Sequence, residues 1–442
     1  MASDLLSIAA SGARAARAAL DVTAQNIANA SSEGYVRRSV SISEVSAAGG
    51  QNRLGDISLS GARVSGIDRN ADMFRQAEVR RTGSDLARAN TELGGLENIE
   101  AAVEQSGVYD SIVEFEAALQ QLSADPGNPS LRAAVLAGAD TLANKFNIAV
   151  DSLGAAGEGL RFDAAASVEQ ANVFGEELAR VNLRLARASE GSSDRATLLD
   201  QRDTLLEKMS GIVDISTTFA ADGTVTVATG GETLVSGGQS AALAMTTAGD
   251  GTIAFQVGGA PIAPRGGSLA GAALALESAR DVQGRLDVLA DQIAGAVNAA
   301  QANGVAFDGS PGQPIFAGSG AAGIRVVATQ GSAIATAPAG SPAGSIDGSN
   351  LAALRQALGG ADVAGSANGL LFDVSSAVSG RTVTRDALDA IAASARISLE
   401  QQAGVDLDTE AANLMRFQQA FQASGRAMQV ASDVFDTIVG LR

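Results

Sequence analysis

The side chains that most often carry catalysis are missing from this 442-residue chain, which has no histidine and no cysteine. Without imidazole there is no base titrating near neutral pH and no Ser-His-Asp arrangement. Without thiol there is no thiolate nucleophile, no disulfide framework and none of the softer metal ligands. Paired carboxylates remain, and such pairs cleave glycosidic bonds when they face each other across a cleft. Two candidates stand close in sequence, Glu176-Glu177 and Asp406/Asp408. Adjacent residues on a helix point to different faces, and Asp406 sits where a helix begins, so neither pair is arranged to share a substrate. The glycine pairs at 49–50, 94–95, 230–231, 237–238, 258–259 and 266–267 lack the lysine that follows in a phosphate loop. The Asp-Gly steps read as turns, without the nonapeptide repeat that binds Ca²⁺. We therefore expect no enzyme, with no catalytic residue, cofactor or metal.

Charge and size narrow the class further. The net charge is −18, which argues against nucleic acid as a partner because phosphate binding needs clustered Lys and Arg. Aromatics make up 3% of the chain and Trp is absent, so packing must rely on close helix approach and on Leu, Val and Ile. The length corresponds to about three domains. LLSIAASGA near the N-terminus has the apolarity of a signal peptide, but Asp4 precedes it and Arg14 and Arg17 follow, so no cleaved signal is expected. No apolar run approaches the ~20 residues of a membrane span.

What the chain must position is apolar surface. Within 407–439, positions spaced alternately by three and four residues read Leu414, Phe417, Phe421, Ser424, Met428, Ala431, Phe435 and Ile438. That spacing predicts a helix packed along its length against another helix. Asp406 serves as N-cap, Asp408 and Glu410 lie in the first turn where the helix dipole favours carboxylates, and Gly440 marks the stop. The partner is the other end of the chain, where Leu6, Ala9, Ala13, Ala16, Leu20, Thr23 and Ile27 repeat the spacing with small residues. Small side chains let a neighbouring helix approach closely. Packing inside one bundle and packing between copies both stay open on this pattern.

Between the ends, Gly34 closes the first helix and Val36, Val40 and Ile42 alternate like a strand. Residues 43–66, with Ile57 and Leu59, read as a loop or hairpin. Helix is expected from Ile67 to about Gln105 with Gly94-Gly95 a weak point, and again over 109–122. After the break at Asp125-Pro126-Gly127-Asn128-Pro129 it resumes over 131–153, 164–188 and 195–209. Asp200, Arg202, Asp203, Glu207 and Lys208 read as a solvated face with local ion pairs. At Gly211 the period changes to two. Residues 212–215, 224–227 and 253–257 are strand-like, with turns at Asp222-Gly223 and Gly258-Gly259. Ser268 is placed as the cap of a helix returning to about Ala302, 304–384 holds short strands and helical pieces, and 385–402 is helix. The expected fold is α+β and multidomain. Its segments are an N-terminal core helix with an extended stretch (1–66), a long-helix bundle layer (67–210 and 266–303), an inserted outer β domain (211–265), a second outer Gly/Ser-rich portion (304–384) and C-terminal helices returning to a coiled-coil-like core (385–442).

SGARAARAALDVTAQNIANASSEGYVRR, residues 11–38, resembles the N-terminal motif of the bacterial flagellar rod, hook and junction proteins. There an Ala-rich helix runs into Asn-Ile-Ala-Asn and then Gly-Tyr, matched here by Asn26, Ile27, Ala28, Asn29, Gly34, Tyr35 and Arg37. Ser32-Glu33 departs from the Thr-Pro that many members carry. LDTEAANLMRFQQAFQASGRAMQVASDVFDTIVGL, residues 407–441, is similar to the C-terminal motif of the same axial family, in the wording of its junction members. LLDQRDTLLEKMSGIVDIS, residues 198–216, resembles their helix-to-sheet passage.

The resemblance implies a structural protein joining flagellar hook to filament. The alternatives are a hook, distal-rod or flagellin-like axial protein, or an unrelated secreted adhesin. Implied partners are its own copies in a ring or helical lattice, the hook protein, a second junction protein with the filament, and an export chaperone on the C-terminal helix. The implied location is the extracellular flagellum, reached by type III export with an uncleaved N-terminus. The expected assembly interface comprises Leu6, Ala13, Leu20, Asn26, Ile27, Asn29, Gly34 and Tyr35 on one side and Leu414, Phe417, Phe421, Met428, Phe435 and Ile438 on the other. The free monomer is expected to leave both terminal segments disordered until assembly.

Overall fold

The computed structural model describes residues 2–32, 34–47 and 58–440. The chain opens with helix α1 (Ala2–Ala28), followed by an antiparallel hairpin of β1 (Arg38–Ala47) and β2 (Ser58–Arg69). Helices α2 (Met73–Ser106), α3 (Val108–Ala124), α4 (Pro129–Leu185) and α5 (Ser193–Ile212) come next. A run of short strands follows: β3 (Ser216–Phe219), β4 (Val225–Thr229), β5 (Glu232–Ser236), β6 (Gln239–Ser240), β7 (Leu243–Thr247), β8 (Ile253–Val257) and β9 (Ala260–Ile262). Helix α6 (Gly267–Ala302) returns from them. The two-residue strands β10 (Gly304–Val305), β11 (Phe316–Ala317), β12 (Arg325–Val326) and β13 (Ala337–Pro338), with the turn α7 (Gly320–Gly323), lead to α8 (Ser349–Ala361), α9 (Val363–Ala403) and α10 (Leu407–Gly440). The fold is α+β, with long helices and small antiparallel sheets.

The chain forms two compact units. The first comprises Met1–Ser84, Gln170–Leu243 and Asp389–Arg442, the second Asp85–Glu169 and Ala244–Leu388. In the second, Phe115, Leu119, Leu142, Phe146, Ile293 and Phe316 are among the buried residues of one continuous apolar core. The Phe115 and Phe316 rings meet edge to face at 6.1 Å. Helices α2 and α6 touch through glycine, since a Cβ on Gly271 would lie 2.4 Å from the Arg88 carbonyl oxygen. Buried Arg132 donates to the carbonyls of Pro126 and Ile334 and to Thr336 Oγ1, pinning the 331–336 loop to the start of α4.

In the first unit, β3–β6 form one sheet, hung on α4 by Asn182. Its Nδ2 donates to the carbonyls of Val225 and Gly237, and its Oδ1 accepts from the Val225 N–H. Strands β7–β9 form a separate three-stranded sheet, so the 211–265 segment carries two sheets.

Several elements differ from the sequence reading. Residues 131–153 and 164–185 belong to one helix, α4, and 186–188 form the turn after it. The glycines between them stand among Ala155, Ala156 and Leu160, good helix formers that carry the helix through. Residues 67–69 finish β2, and helix begins at Met73, because register with β1 holds Ile67 opposite Val40. Residues 212–215 hold the end of α5 and its cap, and the strand begins at Ser216. Gly266, not Ser268, caps α6. The 384/385 boundary falls inside α9, whose helix begins at Val363 despite its glycines. Ile57 lies outside the described residues.

Candidate assembly interface

The Ala-rich sequence of α1 makes two buried faces. One follows the predicted spacing: Ala9, Ala13, Ala16 and Thr23 are buried, Leu20 and Ile27 half-buried. The other meets the hairpin, where the Ala62 N–H donates to Ser11 Oγ at 3.1 Å. Gly61 there has φ 94°, and a Cβ on it would lie 2.1 Å from that oxygen, so only glycine fits.

Helix α10 starts as expected, with Asp406 Oδ1 accepting from the Thr409 N–H at 2.9 Å. That bond holds the exposed Asp406 carboxyl below its usual range. The helix runs antiparallel to α1: Gly12 faces Ser424, where a Cβ would sit 3.1 Å from Oγ, and Asn26 meets Glu410. Leu414, Phe417 and Met428 are half-buried and Ala431 is buried. Three predicted seam residues remain partly exposed: Leu6 is 41%, Phe421 43% and Phe435 51% exposed. The Ile438 side chain lies outside the described residues. Both terminal helices form and pair within a single chain, where small seam residues and a buried polar contact close the pair.

Asn26 is the centre of that contact. Its Nδ2 donates to the Arg38 carbonyl at 2.8 Å and to Glu410 Oε2 at 3.2 Å. Its Oδ1 accepts from the Arg38 N–H at 3.0 Å and the Tyr35 hydroxyl at 2.9 Å. Glu410 is 1% exposed, and its other oxygen takes Arg37 Nε at 2.7 Å. Burial pushes the Tyr35 phenol above its ordinary range, against the pull of Arg38, whose guanidinium lies 4.9 Å from the ring. Asn29 has a local role, its Nδ2 donating to the Gln25 carbonyl at the end of α1. Gly34 turns the chain with φ 73°, and a Cβ there would meet Thr204 Oγ1 at 2.3 Å. The motif positions Asn26, Gly34 and Tyr35 thus converge on one corner of the first unit.

Beneath that corner lies a buried ion cluster. Arg38 donates to Asp200 at 2.7 Å, Arg69 bridges Asp200 at 2.7 Å and Asp203 at 2.8 Å, and Arg202 holds the other Asp203 oxygen at 2.6 Å. Burial pushes the Asp203 carboxyl up, but Arg202 and Arg69 outweigh it and hold the group below its usual range. Asp200, Arg202 and Asp203 are therefore not a solvated face. Their ion pairs reach across the sequence to β1 and β2 and fasten α5 to the hairpin.

Glu410, Arg38, Arg69, Asp200 and Asp203 were not legible as site residues. The available signal was Glu410 itself, an acid at 410 on the same three-and-four spacing as Leu414 and Phe417. Of the carboxylate pairs, Glu176 and Glu177 are exposed, with Glu176 near Arg180 at 3.9 Å, and Asp406 is the cap just described. Among the described residues no cluster of three or more Asp and Glu could hold a metal ion, and no helix is long and apolar enough to cross a membrane.

Comparison with known proteins gives matches along the chain. Residues 93–316 match the family model described as flagellar hook-associated protein FlgK helical domain. Residues 6–35 match that of flagella basal body rod proteins, and 400–441 that of the flagellar basal body rod FlgEFG protein C-terminal region. Flagellar hook-associated protein 1 of Salmonella typhimurium is 28% identical over 223 residues, covering 49% of this chain and 39% of that protein. The protein of the same name from Bacillus subtilis is 28% identical over 212 residues, covering 46% and 42%. The matches thus span about two fifths of these relatives' length. The solved flagellar hook junction protein FlgK from Burkholderia pseudomallei superposes with a TM-score of 0.64 at 17% identity, over 73% of this chain and 99% of that one, a likeness of fold.

Proposed function

Because the chain belongs to the family of the flagellar hook-associated protein FlgK, we propose that it is the structural protein joining flagellar hook to filament, on which the filament is built. The observation that carries this is the terminal pair. Both ends match rod-protein models, close on each other through Asn26 and Glu410, and still leave Leu6, Phe421 and Phe435 partly exposed. Helices that already pair and yet expose large apolar side chains along one rod fit a lattice in which copies cover one another. Leu6, Phe421 and Phe435 then face neighbouring copies. Asn26 and Tyr35 fasten the pair to the start of β1, and Gly34 makes the turn between them.

The partners that follow are other copies in a ring or helical lattice, the hook protein below, and a second junction protein with the filament above. Before assembly, an export chaperone takes the apolar side of α10 as an amphipathic helix in a groove. The protein works outside the cell, exported with its N-terminus uncleaved. The long helices α4 and α6 between the termini favour a junction member over a hook or rod member. The role is mechanical, without catalysis.

Deletion of residues 407–442 in the source bacterium tests this, with electron microscopy and an assay of flagellin in the medium. We expect hooks without filaments and flagellin lost to the medium. Intact filaments would refute the junction role, and loss of the hook as well would reassign the chain to hook or rod.

A further inference from the structure

Beside the ion cluster, wholly within the first unit, is a cavity of about 140 Å³. Its apolar walls come from Val36, Val79, Leu399 and Ala403, and Arg80 of α2 lines it. Arg80 is 7% exposed, yet among the described residues no carboxylate lies within ion-pair distance of its guanidinium. The nearest acids are engaged elsewhere. Asp203 gives one oxygen to Arg202 and the other to Arg69 and Gln76, and Glu207 is paired with Arg396.

We propose that this cavity is a binding site for one carboxylate group, received by the Arg80 guanidinium. The cavity is lined by Arg80 and Arg396 and by Asp203, Glu207 and Glu400; Asp203 is taken up by Arg69 and Arg202 and Glu207 by Arg396, which leaves the Arg80 guanidinium without a carboxylate of its own. A buried cation is stable when paired and hydrogen-bonded, and costs several kcal/mol when it is not. A guanidinium presents a planar fork that matches a carboxylate in two parallel hydrogen bonds. The apolar walls suit the short stem carrying such a group. Glu207 and Glu400 at the same cavity disfavour a doubly charged phosphate. Burial lowers the Arg80 pKa, and the more distant Asp203 and Glu207 offset this only in part.

The carboxylate has two possible sources: an acidic side chain of a second copy, in a chain with 49 acids against 31 bases, or a free small monocarboxylate. The site stands on geometry alone and does not depend on the junction role.

The test uses the full chain with ¹⁵N-labelled arginine, titrated with sodium propionate against equal ionic strength of sodium chloride. We expect a saturable rise of Tm and a saturable shift of the Arg80 Nε–H signal with propionate only. Arg80→Met should fold with unchanged or higher Tm and lose the propionate response. A wild-type protein indifferent to propionate overturns the proposal, as does an Arg80→Met protein that responds equally. Should Arg80→Met fail to fold, the wild-type titration decides. If saturating propionate also blocks self-association in sedimentation, the natural occupant is a neighbour's acid. If binding leaves self-association unchanged, the occupant is a free carboxylate.

Discussion

In the second unit the large side chains are the buried ones. Phe115, Phe146 and Phe316 are at most 1% exposed, and Leu119, Leu122 and Leu142 fill the space among them. In the terminal pair the order is reversed. Ala9, Ala13, Ala16 and Ala431 are buried, while Phe421 and Phe435 stand about half in solvent. A core gains stability by burying its bulkiest groups, at roughly 25 cal/mol per Å² of apolar surface. A helix pair that buries its small residues and leaves its large ones half out has spent only part of its apolar surface. The first region finishes its packing within one chain, and the second keeps packing capacity for something else.

That contrast predicts a gradient of mutational cost. Phe146→Ala empties a fully buried site beside Leu142 and should cost about 3–5 kcal/mol, read as a large drop in denaturant midpoint. A cost under 1 kcal/mol would mean that the second unit's core is as loosely committed as the terminal pair.

Glu410→Ala comes next. It removes one of the two acceptors of the buried Asn26 amide nitrogen and the partner of Arg37, whose side chain is 28% exposed and partly resolvated. We expect a loss of about 2 kcal/mol confined to the terminal helices. Amide exchange should quicken in α1 and α10 and leave the core around Phe146 unchanged. Uniform quickening would show that the pair and the rest unfold as one.

Acid should separate the two regions as well. The Asp203 carboxyl is held below its usual value in the folded state, so its contribution is fully present above the unfolded value near 4. It is lost as pH falls through the lower folded value. Burial pushes the neighbouring Asp200 the other way, above its usual range, and offsets part of this loss. Through Asp203 the first unit should lose exchange protection below about pH 4 before the apolar core of the second, whose cluster carries no charge. Asp203→Asn should remove most of that difference. Equal loss in both units would show that the ion cluster is not what ties α5 to the hairpin.

The same contrast explains what the sequence made legible. Periodicity found α1, α10 and their pairing because apolar spacing is a local property, and Asp406 and Gly34 carried their roles in residue type and place. The ion cluster was hidden because Asp200 and Asp203 lie on α5 while Arg38 and Arg69, which bridge them, lie more than a hundred residues earlier. On a single helix those charges look like surface, and only the fold of the hairpin onto α5 makes them interior. Helix α4 read as two pieces because glycine weighs against helix locally, a weak preference that tertiary packing overrides. The full length of α9 was missed for the same reason. Glu410 sits between these cases, in a seam position visible from spacing but with partners supplied by a turn 373 and more residues away.

The smallest expected effect on stability is the most informative about the terminal pair. Phe435 is 51% exposed on α10, so Phe435→Ala removes a ring that the single chain only half buries and should cost monomer stability about 1 kcal/mol or less. A half-solvated ring at that position is nevertheless an aromatic anchor waiting for a pocket, and such anchors dominate interfaces once covered. Sedimentation of the purified chain, wild type against Phe435→Ala, should then show self-association weakened at least tenfold, with the melting curve little moved. The paired change Phe146→Ala should do the reverse, lowering the melt while any folded fraction still associates. If Phe435→Ala destabilises the monomer as much as a core mutation, the ring is buried in solution and the two regions do not differ in kind. If it alters neither stability nor association, the exposed face of α10 is not where copies meet, and Leu6 with its neighbours on α1 becomes the surface to test.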